Sequence, residues 1–326
     1  MLGFIIRRLL WLIPVLLFIT FITFALMHIA PGGPWDTDPS RRQLSAAQVK
    51  AMNARFGLDK PVFINTEGNP AQPWTYLDSQ FFNYILNVVT KFDFGPSYRQ
   101  RGRDVSDIIM AGLPTSIKLG SIAFIWSTIV GVSLGLYAAL RQNTAGDYVA
   151  LFLATVLRSI PSFVLGIFLI VIFVGTLHWM NIIQDDWSGL QPYILPAIVL
   201  GAPIMAFIAR LTRSSMLDVT RQDYVRTARA KGLNERAVVL GHMLKNALIP
   251  VVTILGPAFA TLVTGSFIIE TLFGMPGIGQ LFVTSINSRD YSLIMATTLF
   301  YAFLVAIANM LVDITYAFID PRIRLS

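Results

Sequence analysis

Cysteine is absent from all 326 residues, which excludes disulfides, thiolate metal sites, iron–sulfur ligation and cysteine nucleophiles. Charge is scarce too: Asp, Glu, Lys and Arg make up 13% of the chain, about half the share of a soluble domain. No lysine follows a glycine, so the phosphate-cradling pattern G-x-x-x-x-G-K-[ST] is missing and the chain cannot bind ATP through a P-loop. His28, His178 and His242 lie too far apart for a metal-ligand spacing such as H-E-x-x-H, and no metal site is expected. Nor is there a clustered acid–base constellation of the kind an integral membrane enzyme needs.

What is present is apolar. Hydrophobic residues account for 55% of the sequence, and mean hydropathy is +0.64. A spanning helix needs about 20 apolar residues, and six runs qualify: about Leu9 to Ala30, then 117–140, 149–177, 194–216, 248–269 and 292–318. The expected fold is therefore all-α, a polytopic membrane protein with six transmembrane helices. The first run follows Arg7 and Arg8 but exceeds a signal-peptide core and lacks a small-x-small cleavage site, so it reads as a retained span. The expected organisation is 1–30 for the N-terminal segment and first span, 31–115 for an extracytoplasmic helical insertion, and 116–326 for the remaining membrane core.

The net charge of +7 is read as topology rather than as nucleic-acid binding, because the basic residues gather beside apolar runs. Arg7, Arg8, Arg141, the series from Arg210 to Lys245, and Arg322 and Arg324 fall on one side, whereas the opposite short loops contribute only Arg289. The positive-inside rule then puts both termini and the loop 217–247 in the cytoplasm. A segment as long as 31–115 translocates largely regardless of charge, so it belongs outside.

In that outer segment Ser45 to Phe56 reads as a short helix, with Ser45 as N-cap and Gly57 as the stop. Ser79 to Lys91 gives a second, with Phe81, Phe82, Ile85, Val88 and Val89 on one face, and Ile64 to Asp78 reads as loop. A structural cap, and a docking surface or lid over a translocation path, are both compatible with this pattern.

The most informative stretch is Asp223-Tyr-Val-Arg-Thr-Ala-Arg-Ala-Lys-Gly-Leu233, continuing through His242, Leu244, Asn246 and Pro250. Val225 to Lys231 are good helix formers, Gly232 permits a turn that a Cβ resists, and Asn234 can cap a second helix to Ala247 that presents Val238, Val239 and Leu244. Two short helices at an angle would make a rigid knob. On these features alone an ordinary solvated basic loop remains an equal reading.

Tyr224-x-Arg226-x-Ala228-Arg229-Ala230-Lys231-Gly232-Leu233, followed by His242-x-Leu244-x-Asn-Ala-Leu-x-Pro250, resembles the coupling loop of ABC importer permeases in its oligopeptide/dipeptide form. Of the general pattern E-A-A-x3-G-x9-I-x-L-P, Ala228, Gly232 and Leu244 match, while Arg226, Thr227, His242 and Lys245 depart from it. Other segments agree: Ala30-Pro-Gly32, Gly57-Leu-Asp-Lys-Pro61, Phe92-Asp-Phe-Gly95, Ser159-Ile-Pro-Ser-Phe163, Phe273 to Gly279 and Asp320 to Arg324. The chain is thus identified as a member of that family. The resemblance implies a type I ABC importer permease fold in a bacterial or archaeal cytoplasmic (inner) membrane. It implies a homologous but distinct permease, two ABC ATPase subunits holding ATP and Mg, and an extracytoplasmic solute-binding protein as partners, with no cofactor in this chain. Peptides are the implied solutes, with nickel and oligosaccharides as alternatives within the family. A stand-alone channel or secondary carrier predicts membrane-embedded ionisable residues and internal repeats, and the sequence shows few of the first and no clear case of the second.

A few polar residues near the spans carry two readings each. Arg158 either lies as a costly charge inside the third apolar run or, if its span begins near Pro161, sits at the cytoplasmic edge. Glu270 either marks the water interface or serves a gate or pairing role. Met275-Pro276-Gly277-Ile278-Gly279 is a flexible turn that either merely connects or forms a gate or binding-protein contact. Asn309 and Asp313 share a helix face as an intramembrane polar pair, suited to a helix–helix hydrogen bond.

Overall fold

The computed structural model describes residues 2–35, 45–69, 71–100, 102–181, 184, 186–264 and 266–319, with side chains from residue 6 to 311. The described residues are almost wholly helical, with one isolated β-bridge between Pro96 and Asp104. Four helices are long and apolar enough to cross a membrane: α1 (Leu2–Ile29), then, after the outer helices α2 (Ala46–Phe56) and α3 (Gln80–Lys91), α4 (Val105–Leu140), later α7 (Ile194–Thr220) and α13 (Tyr291–Ile319).

The other two expected spans are not straight rods. The third is split at Pro161 into α5 (Ala145–Ser159) and α6 (Ser162–Ile170), the latter running on through a π-helical turn to Thr176, with 103° between the halves. Proline removes a backbone donor and disfavours helix in the preceding residue, and Ile160 is accordingly extended (ψ 126°). Arg158 closes α5 just before this break, its guanidinium carbon 4.9 Å from the centre of the Phe207 ring. The fifth is preceded by α8 (Asp223–Ala230) and α9 (Glu235–Ala247), which meets α10 (Ile249–Val263) at 53°. By length and composition the helices give up to six spans, the fifth resting on α10 once α9 is set aside as part of the surface loop. The run 248–269 is not continuous helix: α10 stops at Val263, and α11 (Phe267–Leu272) is a separate helix capped by Ser266, followed by α12 (Ile278–Ser288).

Two compact units divide the chain, one centred on Pro114–Gln280 and the other formed by Ile6–Leu113 with Leu281–Leu304. Helix α4 begins inside the segment 31–115, so the outer region feeds directly into the second span.

In the first unit the core joins Leu119 and Ala123 of α4, Leu195, Ala197 and Val199 of α7, Leu262 of α10, and Ile269, Phe273 and Met275. Small residues set the spacing between spans: a Cβ on Gly135 would lie 2.4 Å from the Ala209 carbonyl oxygen, so α4 and α7 can approach only because that position is glycine. Helices α5 and α7 are locked by an ion pair between buried Asp147 and half-buried Arg213. Arg213 donates through Nε and Nη2 to both oxygens of Asp147 (2.6 and 2.7 Å), and the Asn143 amide adds a third bond at 3.0 Å. Lys118 donates to the carbonyls of Trp187, Ser188 and Gly189 and sits 4.5 Å over the Tyr193 ring, tying the 186–190 segment to α4.

The second unit is built on aromatic packing. Phe24 and Met27 of α1, Phe81 of α3, and Tyr291 and Met295 of α13 form its core, with Phe63, Tyr84 and Tyr98 against it. Helix α2 starts with a reciprocal capping box between Ser45 and Gln48 and ends at Gly57 in left-handed geometry, as its sequence predicts. Ser79 caps α3. The expected loop from Ile64 to Asp78 contains a 3-10 turn, Pro73–Leu77, that begins on a proline. Asp290 ties the 97–99 backbone to the start of α13: Ser97 donates its hydroxyl, Tyr98 its amide at 3.1 Å and Arg99 its amide at 3.3 Å.

Candidate coupling site

The basic loop folds as a knob with its own core. Helix α8 presents Val225 and Ala228 inward, α9 presents Val238, Val239, Met243 and Ala247, and both seat on Met216 of α7 with Leu136, Ala139 and Val219 packed around them. The spacing of Val225 and Ala228 puts them on one face, leaving Arg226, Arg229, Ala230 and Lys231 in solvent. Gly232 joins the helices at φ +77°, and its amide donates to Arg229 O at 2.9 Å. A Cβ there would meet nothing within 4 Å, so the backbone angle, not crowding, is what calls for glycine.

Polar contacts fix the angle between the two helices. Arg229 pairs with Glu235 through two bonds of 2.7 and 3.2 Å, spanning the turn. Asn234 accepts from Ala237 N at 2.8 Å, the N-cap expected of it. Asn246 donates to the Tyr224 hydroxyl at 2.8 Å, closing the far end of the knob. The second helix differs from the expected α-helix in one respect: Val238–Leu244 is π-helical, which the residue pattern does not reveal. His242 is exposed and Leu244 half-buried. Outward, Tyr224, Leu233 and Leu240 expose 40%, 43% and 60% of their surface beside the cations, so the knob offers apolar anchors within a basic rim.

A second cluster gathers Glu270, Gly277 and Gly279. The carboxylate of Glu270 accepts from Ser116 Oγ at 2.8 Å, from Gly279 N at 2.7 Å and from Gln280 N at 3.2 Å, while Ser116 Oγ accepts from Ile278 N at 3.0 Å. It thereby caps α12 with its acceptor oxygens. Glu270 is fully buried; the expectation that it marks a water interface is corrected, because its position on the separate helix α11 turns it inward against α4 and α12. The segment 275–279 is likewise no loose turn. Met275 N bonds to Glu270 O at 2.8 Å, Gly277 and Gly279 are buried, and Pro276 alone of the three candidates is exposed.

Asn309 lies on α13 and is exposed within this chain, while Asp313 falls outside the described side chains, so their pairing is not part of the described structure. Residues that sequence reasoning missed are those whose partners are remote in the chain, namely Asp147 with Arg213, Asp290 with Ser97, and Lys118 with the 187–189 carbonyls.

Long apolar helices, two bent pairs and a packed surface knob define a multi-span membrane protein, and the fold has a counterpart among solved structures. A structure described as inward-facing conformations of the MetNI methionine ABC transporter superposes on it with a TM-score of 0.54 at 18% identity, covering 66% of this chain and 97% of the other. Residues 131–325 match the family described as "Binding-protein-dependent transport system inner membrane component", and residues 1–120 match its N-terminal companion. The chain belongs to this family of inner-membrane permease subunits. It is 41% identical to the oligopeptide transport system permease protein OppB of Escherichia coli (strain K12), over 99% of this chain and 100% of the relative. It is 40% identical to the dipeptide transport system permease protein DppB of Bacillus subtilis (strain 168), over 100% and 99%, and 38% identical to the glutathione transport system permease protein GsiC of Shigella flexneri serotype 5b (strain 8401), over 99% of each.

Proposed function

We propose that this permease forms half of the translocation path of an ATP-driven peptide importer and that the α8–Gly232–α9 knob receives the force of the motor. Its relatives of similar length are named for oligopeptide, dipeptide and glutathione transport, which supports short peptides as the solutes. The partners are a homologous but distinct permease, two ABC ATPases that hold ATP and Mg, and an extracytoplasmic solute-binding protein. Both termini and the knob face the cytoplasm in this reading, which the charge asymmetry of the short loops supports.

The observation that carries the reading is that the knob is packed, not draped. Its helices share one apolar core with α4 and α7, so a push on the exposed Leu233, Leu240 and basic residues moves those spans as a body instead of being lost in a loop. Tyr224, Arg226, Arg229, Lys231 and His242 supply polar contacts around that surface.

Gly232→Pro tests it. Proline cannot adopt φ +77° and loses the amide that bonds to Arg229 O. The expected result is loss of peptide uptake with normal membrane insertion of the chain. Normal uptake by the variant would sink the coupling assignment.

A further inference from the structure

Helix α3 carries more apolar surface than the chain covers. One edge of its apolar arc, Phe81 with Tyr84 and Ile85, packs into the core of the second unit against Phe24 and Phe63. The other edge is Phe82, Leu86 and Val89, which share a face at helical spacing and are exposed, Leu86 by 59% and Val89 by 67%. Asn83, Asn87 and Lys91 fall on the opposite side of the helix. Phe92, which ends α3 in left-handed geometry, adds an aromatic ring that is 79% exposed.

The packing of α3 on α1 shows how deep this face lies. The Phe81 ring is centred 5.7 Å from that of Phe21 and 5.3 Å from that of Phe24. At a rise of about 1.5 Å per residue those two residues sit about 12 and 8 Å short of the end of α1 at Ile29. The apolar stretch 9–29, which follows Arg7 and Arg8, is about as long as the hydrocarbon core is thick, about 30 Å. Phe21 and Phe24 therefore lie below the edge of that core, and Phe81 lies beside them. An amphipathic helix resting in a membrane interface buries its apolar face by about 5–10 Å, which is the depth at which α1 holds Phe81. The apolar surface is also continuous. Phe21 is half-exposed on α1 beside the exposed Phe18 and Ile22, and Phe81 links it to Phe82, whose ring is centred 5.6 Å away.

We propose that α3 is an interfacial membrane helix, with lipid acyl chains covering Phe82, Leu86 and Val89 while Asn83, Asn87 and Lys91 face the headgroups and water. The segment 31–115 is then in part a membrane element and not wholly a soluble insertion. Lipid fits this face better than a docking protein does. The stripe has no polar or charged side chain to set the register of a protein partner, and a solute-binding protein that comes and goes would leave it in water between visits. The proposal does not rest on the function proposed above; only the name of the leaflet, the outer one, follows from the orientation given there.

The test uses single nitroxide labels, which the lack of native cysteine permits. Leu86→Cys and Val89→Cys are labelled, with Lys91→Cys as the water reference and Phe18→Cys as the reference for the lipid-facing span. Each permease, purified with its partners, is reconstituted in liposomes of phosphatidylethanolamine and phosphatidylglycerol. Collision of the label is then measured with oxygen, which concentrates in lipid, and with a nickel chelate, which stays in water. At positions 86 and 89 the ratio of oxygen to nickel collisions is expected to be several-fold above that at 91 and close to that at 18. A ratio at 86 and 89 as low as at 91 would show a face turned to water and overturn the proposal. Weak collision with both reagents would show that protein covers the stripe, a second permease or a binding protein, and would overturn it equally. Both labelled positions are exposed, so if one variant fails to assemble the other still decides.

Discussion

A single carboxylate shows how much one buried group can hold. Glu270 satisfies two amides at the start of α12 and one serine of α4, and Gly277 leaves room for it: a Cβ there would come within 2.3 Å of Glu270 Oε2. Removing the carboxylate strands those buried donors, each worth about 1–3 kcal/mol when unpaired. Glu270→Ala is therefore expected to lower the stability of the solubilised chain by about 2–4 kcal/mol, with Glu270→Gln milder because one acceptor oxygen remains. Gly277→Ala must displace the same carboxylate, so Glu270→Ala combined with Gly277→Ala should cost less than the sum of the two. Thermal unfolding in detergent measures all four variants; strict additivity would show that Gly277 acts on something other than Glu270.

At the scale of elements, short helices here depend on their ends. The α9 start has Asn234 as its cap, and its loss typically costs about 1 kcal/mol. Asn234→Ala should raise amide hydrogen exchange across 235–238 and reduce the coupling of ATP hydrolysis to uptake, leaving exchange in α7 unchanged; unaltered exchange at 235–238 would remove the cap from the account. This cap, the Ser45 cap and the Gly57 stop were all legible in the sequence because each is written within four residues, whereas Ser79, read as the first residue of its helix, proves to be the cap before it. The sharp break at Pro161 carried a local signal as well. The break before Ser266 carried one too, Gly265 followed by the capping serine, though 248–269 reads as one apolar run. By contrast, nothing local announces that Val238–Leu244 widens into a π-helix. Apolar runs in a membrane protein are uniformly hydrophobic, so periodicity cannot place the interruptions. The candidate site was legible in its residue identities and its turn. The packing that makes it rigid was not, because Val225, Met243, Met216 and Leu136 meet only in the folded chain.

For the whole molecule, the spans and the family agree that this chain is a membrane permease subunit, and the function proposed above adds that the knob receives force while partner ATPases hydrolyse ATP. The absence of cysteine, which at first only excluded chemistry, makes any cysteine introduced into the chain unique. Leu240 stands 60% exposed on the knob and Trp74, in the second unit, 66% exposed. The most direct measurement of the central claim is cross-linking from Leu240→Cys in native membranes, with Trp74→Cys as the comparison and the captured protein identified by mass spectrometry. The account predicts that Leu240→Cys captures an ABC ATPase and is shielded from an impermeant thiol reagent applied outside the cell, whereas Trp74→Cys reacts with that reagent and captures no ATPase. Labelling of Leu240→Cys from outside, or its failure to reach an ATPase in membranes that are actively importing, would contradict it.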